Sequence, residues 1–150
     1  MLSQSNIVIV DVLRRFKSSK IPVCFLVPTK TGLEKSIMDA TKSVRDFLEE
    51  REIHSFSNQQ QGTNNKVLIE TNFYSQGQLI ETKTSLYRPE TKNGDPRIWV
   101  YKLADYTEPG DLLAITITKI NSLLLTAANL ISMIFLMQKI ICFSICLAAQ

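Results

Sequence analysis

Apolar residues recur at helical spacing in the segment that follows Thr31. Most of them lie three or four positions apart: Leu33, Ile37, Ala40, Val44, Phe47 and Leu48. Charged residues fill many of the positions between, which gives the segment one apolar and one charged face. Thr31 and Glu34 have the spacing of a capping box, in which each side chain satisfies a backbone amide of the first turn. The pattern predicts one long amphipathic helix over about residues 32–52, and a weaker pattern predicts a short helix over residues 7–16.

Short apolar segments rich in β-branched residues predict five strands. They span residues 21–27, 66–74, 78–87, 97–101 and 112–118. The second and third are separated only by the turn at 75–77, so we expect them to form an antiparallel hairpin. Residues 88–96 and 109–111 hold the Pro, Gly and Asp of a loop and a tight turn. Together these elements predict an α+β fold with an antiparallel, barrel-like sheet.

The composition changes abruptly after Asp111. All 14 acidic residues and all but two of the 17 basic residues lie at or before this position. Residues 112–150 carry only the charges of Lys119 and Lys139 and contain no Gly, Pro or His. We therefore expect a recognition domain over residues 1–118 and an apolar tail over residues 119–150.

Three interpretations of this tail stay open. Residues 120–138 form an uncharged run, close to the roughly 20 residues that a membrane-spanning helix needs. The tail can also be an apolar helix packed against the barrel, or the product of an out-of-frame reading of A+T-rich DNA. We favour the last, because the abrupt loss of acidic residues, Gly and Pro is typical of such a product. We expect the tail to be helical or disordered.

Charge and cysteine content indicate the cellular context. The chain has 17 Lys and Arg against 14 Asp and Glu, and its net charge of +3 is too small to require a polyanionic partner. Cys24, Cys142 and Cys146 do not make the framework of a small disulfide-rich secreted protein. The apolar stretch 7–10 is short and is followed by Asp11, unlike the core of a signal peptide. We expect a cytoplasmic protein, with membrane contact only if the tail is a genuine span.

Basic and aromatic residues are interleaved between residues 83 and 102. Tyr87, Trp99 and Tyr101 lie among five basic residues, and the segment holds only two acids. Basic side chains neutralise phosphates, arginine binds the guanine edge, and aromatic rings stack on bases. The segment therefore predicts contacts with double-stranded DNA. The predicted contact residues are Lys83, Arg88, Lys92, Arg97 and Trp99. The alternative is a solvated loop between strands whose aromatic side chains belong to the core.

Glu81 and Lys83 form the E-x-K half of a metal-dependent nuclease site, with Glu70 as an upstream carboxylate. Two carboxylates would hold Mg²⁺, and the lysine would position the attacking water. Because E-x-K is a short and common motif, this small nuclease is the alternative function. Outside it we identify no catalytic site, cofactor or metal site, since His54 is the only histidine and a multi-histidine site needs more.

Four strings of the sequence resemble a known family. They are residues 28–41, residues 53–62 with Lys66, residues 85–99 and residues 109–113. The most specific is the third, which runs from Tyr-Arg-Pro to Arg-Ile-Trp. They are similar to the amino-terminal DNA-binding domain of bacterial restriction endonucleases, of the EcoRII amino-terminal and SRA-like type. In some of these enzymes the domain is joined to a nuclease domain of the MvaI/BcnI kind.

The resemblance covers about residues 22–118 and implies a β-barrel-like specificity domain. It places Arg88, Lys92, Arg97 and Trp99 at the DNA. Nothing after Thr118 resembles a nuclease domain. The resemblance therefore implies a truncated remnant, whose nuclease domain is lost or lies on a separate chain.

Overall fold

A computed structural model describes residues 22–75, 78–119 and 122–128 of the chain. This part is a mixed α+β structure built on one curled sheet. Its seven strands are β1 (Val23–Leu26), β2 (Ile37–Asp39), β3 (Val67–Ser75), β4 (Gln78–Tyr87), β5 (Arg97–Val100), β6 (Leu112–Lys119) and β7 (Ser122–Ala128). The α-helices of this part are α1 (Lys30–Lys35) and α2 (Lys42–Glu50). Short 3₁₀ turns lie at Phe56–Asn58, Thr63–Asn65, Lys92–Gly94 and Leu103–Asp105.

The strands lie in the order β1-β6-β7-β3-β4-β5-β2. Neighbouring strands are antiparallel except β3 and β7, which run parallel. The predicted hairpin is confirmed, because β3 and β4 pair from Val67 opposite Leu86 to Ser75 opposite Gln78. The expected α+β class is confirmed. The sheet is curled, but the expected antiparallel arrangement is wrong for β3 and β7, which pair in parallel.

One face of the sheet, which we call the inner face, packs against the hydrophobic core. Phe73, Leu86 and Leu125 are completely or almost completely buried there. Val44 and Leu48 of α2 belong to the same core cluster. Because side chains alternate along a strand, the residues between the inner ones point to the opposite side, the outer face. The outer face of β4 and β5 therefore carries the odd-numbered residues of the predicted DNA-binding segment.

The predicted long helix is wrong, because the chain forms α1, β2 and α2 in its place. Ser36 adopts a left-handed conformation with φ of 53°, and its backbone N–H donates to carbonyl oxygens of the α1 turn. The next three residues then pair with β5, where Met38 lies opposite Ile98. The predicted cap is also displaced, since Gly32 N donates to Thr29 Oγ1 at 3.0 Å. Pairing with a distant strand thus overrides a local helical pattern.

The expected helical or disordered tail is wrong for Ser122–Ala128, which form β7. This strand lies between β6 and β3, with Leu123 opposite Ile117 on one side and opposite Thr71 on the other. Leu123 and Leu125 are buried in the same core as the strands before residue 118. Residues 129–150 and the predicted short helix over residues 7–16 lie outside the described residues. The out-of-frame origin of the tail stays a prediction.

Within residues 22–75, 78–119 and 122–128, no helix is both long and apolar enough to cross a membrane.

Candidate nucleic-acid interface

The outer face of β4, β5 and β2 brings basic and aromatic side chains together. Arg97 lies opposite Tyr87 of β4 on one side and opposite Asp39 of β2 on the other. Trp99 lies two residues further along β5, and its ring centroid is 5.8 Å from that of Tyr101. Alternation along the strands therefore gathers residues of three separate segments on one surface.

A cavity of about 520 Å³ opens at one end of this surface, and we call it the basic cavity. It lies between the chain around α1, strand β2 and the loop that follows β4. Its charged lining residues are Lys35, Asp39, Lys92 and Arg97. Three cations against one anion give the cavity a positive balance, which favours an anionic ligand. Hydroxyl groups of Thr29, Thr31, Thr41 and Thr91 also belong to lining residues and are able to donate to phosphate oxygens.

Arg97 is the most enclosed cation of the basic cavity. Its side chain is 17% exposed and its guanidinium forms an ion pair with the Asp39 carboxylate, whose side chain is 74% exposed. An arginine presents a rigid fork of five N–H groups, so one carboxylate contact leaves others for a ligand. The residue is thus both anchored and able to bind.

Tyr87 contributes an aromatic wall beside Arg97. Burial raises the pKa of the Tyr87 hydroxyl, and the positive charge of Arg97 partly opposes this shift. The phenol therefore stays protonated at neutral pH and remains a hydrogen-bond donor. Lys66 Nζ lies 4.8 Å from the centroid of the Tyr87 ring, within the range of a cation–π contact.

A second cavity, of about 700 Å³, lies next to Trp99 and Tyr101, and we call it the acidic cavity. Glu70, Glu81 and Lys83 line it. Glu70 lies directly opposite Lys83 across β3 and β4, and Glu81 lies two residues before Lys83 on β4. The structure therefore brings together all three residues of the predicted nuclease site.

The acidic cavity offers two carboxylates to a metal. Within the described part of the chain, no group of three or more His, Cys, Asp or Glu residues is placed to hold a metal ion. Mg²⁺ is often held by one or two carboxylates together with water and substrate phosphates. Glu70 and Glu81 would be the protein ligands of such a weakly held ion.

Arg88 does not join the other predicted DNA-binding residues. Its Nε donates to the carbonyl oxygen of Gly94 at 2.8 Å, and its Nη1 donates to that of Gln59 at 3.3 Å. It lines a separate cavity with Arg45 and Glu49 of α2. These contacts connect the loop after β4 to the segment after α2, so Arg88 stabilises the loop from within. Of the five predicted residues, Lys92 and Arg97 line the basic cavity, and Lys83 and Trp99 line the acidic cavity.

The sequence did not predict that three further residues lie at the basic cavity or next to it. Lys35 and Asp39 line the basic cavity, and Lys66 lies over Tyr87. Residues 35 and 39 were assigned to a continuous helix, in which they would not face β5. Residues 37–39 are too few to give a recognisable strand pattern in the sequence. Their position at the cavity therefore follows only from their pairing with β5.

His54 has a structural setting. Its Nε2 lies 3.1 Å from Gln59 Oε1, and its ring packs edge-on against Phe56 with centroids 4.5 Å apart. Burial lowers the pKa of His54, and the hydrogen bond that its ring N–H donates to Gln59 Oε1 partly opposes this shift. The imidazole is therefore neutral at physiological pH and lies outside both cavities.

The fold and the surface define an α+β protein whose curled sheet carries a basic and an acidic cavity on its outer face. No family model, curated protein or solved structure gives a match to this chain.

Proposed function

We propose that this chain is a DNA-binding specificity module, the remnant amino-terminal domain of a restriction endonuclease. The observation that supports this function best is the basic cavity, where Lys35, Lys92 and Arg97 surround about 520 Å³ beside Tyr87. A concave site with a positive balance and several hydroxyl donors suits the phosphates of a nucleic acid. In this proposal the protein acts in the cytoplasm, and any nuclease domain is lost or lies on a separate chain.

The residues have distinct roles in the proposed complex. Lys35 and Lys92 neutralise phosphates, because a lysine ammonium is a flexible point charge. Arg97 reads a base edge or clamps a phosphate through its remaining N–H groups. Lys83 and Trp99 extend the contact along the outer face toward the acidic cavity. Arg88 supports the loop that carries Lys92 through its hydrogen bonds to the carbonyl oxygens of Gly94 and Gln59.

The experiment is a binding titration of the full chain with a random-sequence pool of duplex DNA over a series of salt concentrations. Each phosphate contact contributes about 0.9 to the slope of log affinity against log salt, so three cations predict a slope of about −3. The double variant Lys35→Ala, Lys92→Ala is expected to reduce the slope by about 2.

Lys42→Ala is the matched control, because Lys42 pairs with Asp46 on α2 and lines neither cavity. Its slope is expected to equal that of the unmodified chain. A folded chain that shows no salt-dependent binding to any duplex would overturn the proposed function.

The acidic cavity supports a second candidate function, a small Mg²⁺-dependent nuclease. This function is supported by the position of Glu70, Glu81 and Lys83, which line the same cavity. When bound, Mg²⁺ would supply charge stabilisation at the scissile phosphate. Glu81→Gln is expected to abolish Mg²⁺-dependent cleavage, whereas Glu50→Gln, an exposed change on α2, is expected to retain it. A folded chain that leaves single- and double-stranded DNA intact with Mg²⁺ rules this candidate out.

A further inference from the structure

Asp39 and Arg97 are held opposite each other by the backbone as well as by their side chains. The two residues are register partners in the β2–β5 ladder. Ala40 N donates to the carbonyl oxygen of Pro96 at 2.9 Å, and Val100 N donates to that of Ser36 at 3.2 Å. These bonds close both ends of the short ladder. The position of the Asp39 backbone relative to β5 is thus fixed.

The exposures of the two side chains are unequal. The side chain of Arg97 is 17% exposed, and the side chain of Asp39 is 74% exposed. Arg97 Nη1 donates a hydrogen bond to Asp39 Oδ1. Within the part of the chain that the structure describes, this oxygen is the only acceptor of the Arg97 guanidinium. An exposed carboxylate gives such a pair little stability. The contact nevertheless sets a preferred plane for the guanidinium, whose other N–H groups have no acceptor among the described residues.

We propose that Asp39 is a positioning residue that orients the Arg97 guanidinium for sequence-specific contact with DNA. The inference rests on the proposed function and assigns a role within the same cavity. Asp39 acts on binding in two opposite ways. Its negative charge repels the phosphates of every duplex, whereas its hold on Arg97 favours the duplex whose base edge or phosphate matches the fixed fork.

These opposite effects give Asp39 a signature that a charge alone cannot produce. Removal of an ordinary surface acid near a basic cavity strengthens binding to all duplexes equally. Removal of an orienting acid weakens the preferred duplex relative to others, because Arg97 then samples several rotamers before it binds. The ratio of the two affinities, rather than either affinity, therefore reports the positioning role.

The test uses the full chain and two duplexes. One is the duplex most enriched from a random-sequence pool by the unmodified chain, and the other is a shuffled duplex of the same composition. Asp39→Ala is compared with Asp105→Ala, which removes the same charge at an exposed position that lines neither cavity. Asp39→Asn keeps a side-chain oxygen acceptor and removes the charge.

Asp39→Ala is expected to reduce the preference for the enriched duplex by about two- to fivefold, the range that an exposed ion pair supplies. Asp39→Asn is expected to keep most of the preference, and Asp105→Ala all of it. In an Arg97→Lys background, Asp39→Ala is expected to cause no further loss of preference, because the residue acts through the guanidinium.

Three results would overturn the inference. An unchanged affinity ratio in Asp39→Ala would show that the residue contributes charge alone. If the unmodified chain binds all duplexes with equal affinity, it binds DNA but lacks the specificity that Asp39 is inferred to support. Folded chain that binds no duplex would remove the proposed function and this inference together.

Discussion

Arg88 Nε donates a hydrogen bond of 2.8 Å to the carbonyl oxygen of Gly94, and this contact closes the loop between β4 and β5. The same guanidinium reaches the carbonyl oxygen of Gln59 through Nη1. Gly62 N donates to the Arg88 carbonyl oxygen at 2.8 Å, so the backbone of Arg88 joins the same two segments. The loop that places Lys92 at the basic cavity is therefore stabilised by Arg88, a residue that the sequence predicts to contact DNA.

Replacing Arg88 by Lys is expected to lower the free energy of unfolding by about 1–3 kcal/mol, because one ammonium cannot satisfy both carbonyl oxygens in the geometry of the fork. The measurement is chemical denaturation. Arg51→Lys is the matched control, since Arg51 is exposed at the end of α2, and it is expected to change stability by less than about 0.5 kcal/mol. Equal effects of the two substitutions would contradict the structural role of Arg88.

A side chain at Gly94 is expected to displace the exposed side chain of Gln61 and to lower the stability. The φ of Gly94 is +73°, and a Cβ atom there would lie 2.3 Å from Nε2 and 2.8 Å from Cγ of Gln61. Gly110 has a φ of +94° with open space around it, so Gly110→Ala tests the backbone conformation alone. We expect Gly110→Ala to cost about 1–2 kcal/mol of stability and Gly94→Ala to cost more, as measured by thermal unfolding. A smaller loss for Gly94→Ala would show that Gln61 moves aside freely.

Arg97 and Lys92 are expected to differ in how they affect DNA binding. Arg97→Ala should cost about 1–3 kcal/mol at the preferred duplex and relax the preference for it. Lys92→Ala should weaken all duplexes alike and reduce the salt slope by about 1. Lys42→Ala, on the surface of α2, is expected to alter neither quantity. Competition binding with the preferred and shuffled duplexes distinguishes these outcomes, and a uniform loss in Arg97→Ala would assign that residue to phosphate contact.

Leu125 tests the place of β7 in the core. Its side chain is 1% exposed, whereas that of Leu79, at the start of β4, is 47% exposed. Leu125→Ala is expected to lower the free energy of unfolding by about 2–5 kcal/mol. Leu79→Ala is expected to lower it by less than about 1 kcal/mol, because about half of its surface is already hydrated. Chemical denaturation of both variants measures the difference, and comparable small losses would place residues 122–128 outside the folded core.

Stability is expected to decrease as the pH falls through the range in which His54 titrates. Its pKa in the folded state is lowered from the ordinary value of 6.5, mainly by burial. Between the two pKa values the unfolded chain binds more protons than the folded chain, so the free energy of unfolding falls as the pH drops below 6.5. The loss ends below the folded-state pKa.

The measurement is the free energy of unfolding of the unmodified chain and of His54→Gln between pH 5 and pH 8. The difference between the two curves isolates His54 from the carboxyl groups. This difference is expected to be flat above pH 7 and to change only below it. A constant difference over the whole range would show that the pKa of His54 is the same in both states.

Some elements of this protein follow from the sequence alone. The β3–β4 hairpin was predicted because its alternation has a period of two, and its strands are joined by a short turn. The inner-face positions Ile69, Thr71 and Phe73 are buried as that alternation requires, with Thr71 Oγ1 donating to Thr84 Oγ1 at 2.8 Å. Strand β5 and its basic and aromatic residues were also predicted.

Only the tertiary structure decided the elements that depend on distant partners. Residues 37–39 follow a helical pattern, yet they form β2 because β5 offers backbone hydrogen bonds to them. Residues 122–128 have no local feature of a buried strand beyond apolar composition, and β7 exists because β6 and β3 provide an edge on each side. The ion pair of Asp39 with Arg97 joins residues 58 positions apart. Local periodicity determines which face of an element is apolar, whereas the free energy of pairing and burial between distant segments determines which residues share a site.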